Sequence, residues 1–177
     1  KLEKLDVSGF NTSNVTDMHA MFSGCNTITE LDVSSFKTAK VKDMENMFSG
    51  CCSLTELNLE SFETDNVTTM YSMFNNCKNI QTLNLNSFDT KNVTDMSWMF
   101  ANMQLHNLDL SVFDTSNVTN MSYMFYSCQE LKGLKINNFM TDNVTKMDQM
   151  FTYCHSVKEL DLSSFNTSKY DKATEFV

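Results

Sequence analysis

The sequence predicts a repeat solenoid with about seven rungs, because one 26-residue unit recurs along nearly all of the 177 residues. We call the residues at one position of successive units a column. A leucine column runs through Leu5, Leu31, Leu57, Leu83, Leu108, Leu134 and Leu160, with one step of 25. A phenylalanine column runs through Phe10, Phe36, Phe62, Phe88, Phe113, Phe139 and Phe165. A second, in which Met precedes each ring, runs through Phe22, Phe48, Phe74, Phe100, Phe125 and Phe151. Since one unit cannot bury its own apolar face, stacking in register is expected to form a shared core.

The leucine part of each unit has the pattern of a strand. Leu31 and Val33 alternate with Glu30, Asp32 and Ser34, which is the period of a half-buried strand. Stacked units would place these strands side by side in the same direction. The sequence therefore predicts one parallel sheet along the leucine column.

The methionine part of each unit has the spacing of a helix. Val41, Met44, Met47 and Phe48 are separated by 3, 3 and 1 residues, as on one face of a short helix. Candidate N-caps precede this segment at Asn14, Asn66, Asn92, Asn117 and Asn143. We therefore expect short helical or 3-10 segments on the side opposite the sheet.

Residues 1–177 are expected to form one repeat domain, excised from a longer chain, because Lys1 falls partway through a unit. The ends of the stack show no polar capping element, which favours further rungs or end-to-end self-association. No run approaches the roughly 18 apolar residues of a membrane span, so this segment is not expected to insert into a membrane. The net charge of −9 argues against nucleic-acid binding, which requires clustered basic residues.

No arrangement of residues in the sequence indicates catalysis. His19, His106 and His155 occupy variable positions, and we find no carboxylate or nucleophile in register with them. The chain has no C-x-x-C pair or Cys/His cluster of the kind that binds metals. We therefore expect no enzymatic activity, no cofactor and no metal site.

Cysteines occupy one column, at Cys25, Cys51, Cys77, Cys128 and Cys154. Their side chains would all point the same way in a parallel stack, which does not suit the dihedral angle of a disulfide. We expect free, buried thiols that donate weak hydrogen bonds to turn carbonyls. Cys52 lies outside the column and is expected to be exposed and the most reactive of the six thiols.

Two outward surfaces are candidates for binding a partner. The predicted sheet face carries a row that includes Asp32, Asn58, Asn84 and Asp109, which could attract basic surfaces. The opposite side carries Tyr71, Trp98, Tyr123, Tyr126 and Tyr153, and Trp and Tyr dominate binding hot spots. A solvated polar face and aromatics that only shield the core remain open as alternatives.

Segments such as LDVSSFKTAKVKDMENMFSGCCSL and LDLSVFDTSNVTNMSYMFYSCQEL resemble the BspA-type leucine-rich repeats of bacterial surface proteins. They resemble above all the variant found in mycoplasma, listerial and lactobacillar surface lipoproteins. The resemblance implies a leucine-rich-repeat-like fold, in which the segment matching Val15 to Met18 is alternatively a short strand. It also implies an extracellular location, with anchoring to the wall or lipid through parts outside this chain. The implied function is adhesion, through an extracellular protein or glycan of a host or another cell, and the alternative is a structural stalk.

Overall fold

The computed structural model describes residues 2–170, and its backbone repeats one path every 25 or 26 residues. It contains two strands, β1 (Asn107–Asp109) and β2 (Gly133–Lys135), which pair in parallel with Leu108 opposite Leu134. Within residues 2–170 there is no helix, and so none that could cross a membrane. The repeat solenoid predicted from the columns is confirmed.

Backbone hydrogen bonds join successive repeats along the side that carries the methionines. The amide of Met18 donates to the carbonyl of Asp43 at 2.9 Å, and the amide of Lys42 donates to the carbonyl of Thr16 at 2.8 Å. This exchange places residues from consecutive repeats side by side in parallel. The resulting bridges form one series through Asp17, Asp43, Thr69, Asp95, Asn120 and Lys146.

The segments predicted to be helical are chains of tight turns instead. The amide of Phe22 donates to Met47 of the next repeat, whereas the amide of Met21 returns to Met18 within its own repeat. A helix would use all of these amides internally. Two residues per repeat also have a positive φ, which no helix tolerates: Ala20, Asn46, Ser72, Trp98, Tyr123 and Gln149 in one column, and Gly24, Gly50, Asn76, Asn102, Ser127 and Tyr153 in the other. The helical prediction was wrong, and the bridge at Asp17 agrees with the extended alternative for the segment from Val15 to Met18.

The asparagines predicted to cap helices connect repeats. The side-chain amide of Asn92 donates to the carbonyl of Asp65 at 2.7 Å, and that of Asn117 donates to Lys91 at 2.7 Å. Asn66 and Asn143 make the same bond to their preceding repeats. These side chains therefore add a second series of inter-repeat hydrogen bonds.

The predicted sheet along the leucine column is shorter than expected, because only β1 and β2 form it within the described residues. Two features favour pairing there. The ammonium of Lys135 lies 2.6 Å from the carboxylate of Asp109 across the two strands. Gly133 leaves room for Asn107, whose side-chain oxygen would be 2.5 Å from any Cβ at position 133.

Other repeats lack both features. Glu30 and Glu56 occupy the column of Asn107 and Gly133 in consecutive repeats, and like charges at stacked positions destabilise pairing. They border a surface hollow of about 520 Å³ between their repeats. Like charges therefore disfavour strand pairing between these two repeats.

The core consists of identical side chains in successive layers. The ring centroids of Phe22 and Phe48 lie 5.7 Å apart and those of Phe48 and Phe74 lie 5.8 Å apart, with the rings nearly parallel. Phe36 packs on Phe22, and Phe62 packs on Phe48 in the next layer. This arrangement confirms that like residues stack on like in one continuous interior.

A buried column of threonines satisfies backbone groups inside the stack. The hydroxyl of Thr64 donates to the carbonyl of Asp89 and accepts from the amide of the same residue, both at 2.8 Å. A hydroxyl can do both at once, whereas an aliphatic side chain can do neither. The buried members are Thr12, Thr38, Thr64, Thr90, Thr115 and Thr141.

The six cysteines are free thiols, as predicted, but burial of the column is incomplete: Cys51, Cys77 and Cys128 are buried, whereas Cys25 and Cys154 are only partly buried. The thiol of Cys51 donates to the carbonyl of Phe22 at 3.2 Å, and that of Cys77 donates to Phe48 at 3.1 Å. Burial raises the pKa of Cys51 to about 12. Cys52 was expected to be exposed but is partly buried, because its sulfur contacts the next repeat and accepts a hydrogen bond from the side chain of Asn76 at 3.3 Å.

We expect Thr64→Val to lower the free energy of unfolding by about 1–3 kcal/mol, because Asp89 loses partners for its amide and its carbonyl. Denaturant unfolding gives this difference, and hydrogen exchange at Asp89 should accelerate. Thr64→Ser is the matched control, since it keeps the hydroxyl and should leave that exchange slow. Equal exchange in the two variants would contradict the role assigned to the hydroxyl.

We expect Cys52 to react with a maleimide much faster than its neighbour Cys51. The thiolate is the reactive species, and Cys51 is both buried and held protonated by its raised pKa. Peptide mapping by mass spectrometry after short labelling times measures both rates in one sample. Cys52→Ser should remove the fast label from this peptide, and Cys51→Ser should leave it.

We expect the carboxyl of Asp109 to titrate with a pKa of about 2, because hydrogen bonds from Lys135 and Ser111 lower it from 3.8. Its folded-state pKa is depressed, so the stability that it contributes is present above about 3.8 and is lost as the pH falls towards 2. Carbon-13 NMR of the carboxyl group measures the midpoint. Lys135→Met should raise the midpoint of Asp109 and leave that of Asp161 unchanged, and an unchanged midpoint at Asp109 would argue against the ion pair.

Candidate recognition surface

Four aromatic side chains from three repeats form a continuous group, which we call the aromatic ladder: Trp98, Tyr123, Tyr126 and Tyr153. The rings of Trp98 and Tyr123 stack at a centroid distance of 4.3 Å with 13° between their planes. Tyr126 lies 5.6 Å from each of them, and Tyr153 lies 5.4 Å from Tyr126. His155 extends the group at 5.9 Å from Tyr153. The structure thus brings together four of the five aromatics predicted from the sequence.

Tyr71, the fifth predicted aromatic, does not belong to the ladder. It makes none of the ring contacts found within residues 2–170, and its backbone amide donates to the hydroxyl of Thr69 at 3.3 Å. Tyr71 lies in the column of His19 and Glu45, one residue before the column of Trp98. Sequence proximity alone grouped it with the others.

The ladder stands on a backbone whose shape is set by the repeat. Trp98, Tyr123 and Tyr153 have φ values of 60°, 60° and 64°. Such a conformation costs a residue with a side chain about 1–2 kcal/mol. Inter-repeat bonds hold it in place, since the amide of Trp98 donates to Ser122 at 3.0 Å and that of Tyr123 donates to Asp148 at 2.8 Å. The backbone positions that carry the rings of Trp98 and Tyr123 are therefore fixed by hydrogen bonds between repeats.

The stacked arrangement decides which parts of the rings a partner could reach. Trp98 and Tyr123 each cover one face of the other's ring, and both residues remain partly exposed. Tyr153 is 52% exposed, the largest fraction in the ladder. Indole and phenol side chains combine apolar area with one hydrogen-bonding group each, so the ladder can offer both kinds of contact.

The row of Asp32, Asn58, Asn84 and Asp109 has a structural role in the turns that follow the leucines. In each case the side-chain oxygen accepts the backbone amide two residues later, as in an Asx turn; the donors are Ser34, Glu60, Asn86 and Ser111. The hydrogen bonds from Ser34 lower the pKa of Asp32.

The same row borders two open hollows. One, of about 520 Å³, is lined by Asp32 and Asn58, and the other, of about 910 Å³, is lined by Asn84 and Asp109. Asn84 lines the first hollow as well, so the two hollows adjoin at this residue and the four side chains border one stretch of the leucine side.

One cluster was missed by the sequence analysis. His19 lies with Nδ1 3.9 Å from Oε1 of Glu45, and together with Asp43 they present three metal-ligating atoms within 4.8 Å of one another. The expectation that no carboxylate is in register with a histidine was wrong, because Glu45 follows His19 by 26 residues, one full repeat. Comparing variable positions column by column would have found the pair.

Comparisons with known proteins agree with this architecture. The family model described as "Mycoplasma protein of unknown function, DUF285" matches residues 1–105 and 73–177, which together span the chain. No curated protein matches the sequence.

Among solved structures, the chain is similar to a leucine-rich repeat protein from Bacteroides ovatus, with a TM-score of 0.55 and 17% sequence identity. The similarity covers 81% of this chain and 34% of that chain, so this chain spans about a third of that protein's length. At this identity the match shows the fold alone. The family and structure matches support a repeat family of BspA type, and the chain belongs to the DUF285 family.

Proposed function

We propose that this chain is a recognition module that binds an extracellular protein through the aromatic ladder. The observation that carries the proposal is a contiguous, partly exposed group of one tryptophan and three tyrosines on adjacent repeats. Tryptophan and tyrosine supply a large share of binding energy at protein interfaces. No other surface within residues 2–170 presents comparable aromatic ring contacts outside the phenylalanine core.

The backbone beneath the ladder supports this function. The rings of Trp98 and Tyr123 are already held by mutual stacking and by inter-repeat hydrogen bonds at their amides. A preorganised side chain loses less conformational entropy when a partner binds.

The location and the partner are proposed from the resemblance to BspA-type repeats. We place the module at a bacterial cell surface, in the manner of the mycoplasma, listerial and lactobacillar variant, anchored through parts outside this chain. Its partner is an extracellular protein of a host or of another cell, and the alternative partner is an extracellular glycan. The module acts by binding, without catalysis and without a nucleic-acid partner. The row of Asp32, Asn58, Asn84 and Asp109 receives less support as a contact surface, because its oxygens already close turns.

A passive stalk is the second candidate function. The backbone bridges from Asp17 to Lys146 join the same position of six consecutive repeats in one series. A stack joined in this way would resist bending and could hold another domain away from a surface. A stalk needs no ligand, and its outward residues should tolerate replacement.

The two functions differ in what replacement of the ladder should do. We expect Trp98→Asn with Tyr123→Asn to weaken binding at least tenfold to an immobilised extracellular protein that the native chain binds saturably. Asparagine is the suitable replacement because Asn46 occupies the same column with a φ of 55°. Biolayer interferometry against a panel of purified host surface and matrix proteins measures the affinities, and thermal unfolding checks the fold.

Tyr71→Ala is the matched control, since it removes a tyrosine outside the ladder and should leave binding unchanged. A bound partner whose affinity is the same for the native chain and the double variant would refute the ladder as the contact. The absence of saturable binding across the panel would favour the stalk.

A further inference from the structure

A cluster of one imidazole and two carboxylates lies across two repeats, far in sequence from the aromatic ladder. It consists of His19 from one repeat and Asp43 and Glu45 from the next, and its ligating atoms lie within 4.8 Å of one another. We propose that these three side chains bind a divalent transition-metal ion of the zinc class and thereby fasten the two repeats together.

The backbone fixes the relative positions of the three residues. The amides that flank His19, those of Met18 and Ala20, donate to the carbonyls of Asp43 at 2.9 Å and Glu45 at 2.8 Å. The backbone of His19 is therefore held beside the repeat that carries the two carboxylates. A site built on paired backbone needs little ordering when an ion binds.

The ligand types select the class of ion. Imidazole nitrogen with carboxylate oxygen suits zinc and its first-row neighbours, whereas calcium and magnesium prefer oxygen alone. Ligands at about 2.0–2.2 Å from one zinc ion lie roughly 3.5 Å from each other, so the cluster needs only small side-chain rotations to close. The side chains of His19 and Glu45 are 48% and 32% exposed, so an ion can reach the cluster from solvent.

The surroundings also favour a cation. Asp17 pairs with Asp43 through the backbone, and its carboxylate accepts the amide of His19 at 2.8 Å, so a third carboxylate lies next to His19. The equivalent columns of the later repeats carry Tyr71, Ser97, Ser122 and Asp148 without a histidine, and within residues 2–170 this is the one group of three such ligands. The site therefore belongs to the first two repeats alone.

Zinc chloride is the probe for this site. We expect isothermal titration calorimetry to show saturable binding of one zinc ion to the whole chain, and hydrogen exchange at Met18 and Ala20 to slow on binding. Those two amides lie between the ligands, so slower exchange reports fastening of the repeats themselves. His19→Ala and Glu45→Gln should each weaken binding at least tenfold and abolish the change in exchange.

His155→Ala is the matched control, because it removes an exposed histidine outside the cluster and should change neither measurement. Cobalt(II) in place of zinc distinguishes these ligands from the cysteines, since only thiolate ligation gives an intense charge-transfer band. Absence of zinc binding, equal weakening in His155→Ala, or a thiolate band that persists in His19→Ala would each overturn the proposal.

Discussion

The hydrogen bond from an amide on the methionine side of one repeat to a carbonyl of the next determines the geometry of this molecule. Every second amide in the segment from Met18 to Gly24 makes this bond, and the intervening amides close turns within the repeat. The alternation fixes both the separation of successive repeats and their register. Given that register, the core follows, because the phenylalanines at a spacing of 25 or 26 are placed ring upon ring.

The interior that results contains polar groups as well as apolar ones. Thr64 and its equivalents bond to backbone groups of the next repeat, and the thiols of Cys51 and Cys77 bond to carbonyls of the previous one. The threonines satisfy backbone groups that the tight turns leave without a backbone partner, whereas the thiols add a second hydrogen bond to carbonyls that already accept a turn amide. An unpaired buried group would cost about 1–3 kcal/mol, which explains why such polar columns belong in the core.

The same register governs the outer surface, since any two variable residues one repeat apart become neighbours. Trp98 and Tyr123 form a stacked pair, and Asp109 and Lys135 form an ion pair. His19 and Glu45 bring an imidazole and a carboxylate to 3.9 Å from each other. Each function proposed here arises from such neighbours. A constant core can therefore carry a different chemical surface at each pair of repeats.

The repeat spacing in the sequence was enough to predict the solenoid, its 26-residue unit and the free cysteines. It also predicted that four of the five aromatic side chains lie close together. It could not distinguish helix from turns, since Val41, Met44, Met47 and Phe48 show the same spacing whether amides bond within the repeat or between repeats. The tertiary structure alone decided that the amides bond between repeats. The same contacts between repeats show that, within residues 2–170, the leucine side forms strands at β1 and β2 alone, where Gly133 gives space and Lys135 neutralises Asp109. These outcomes depend on contacts between repeats, whose geometry is set by the stacked backbone rather than by any one unit.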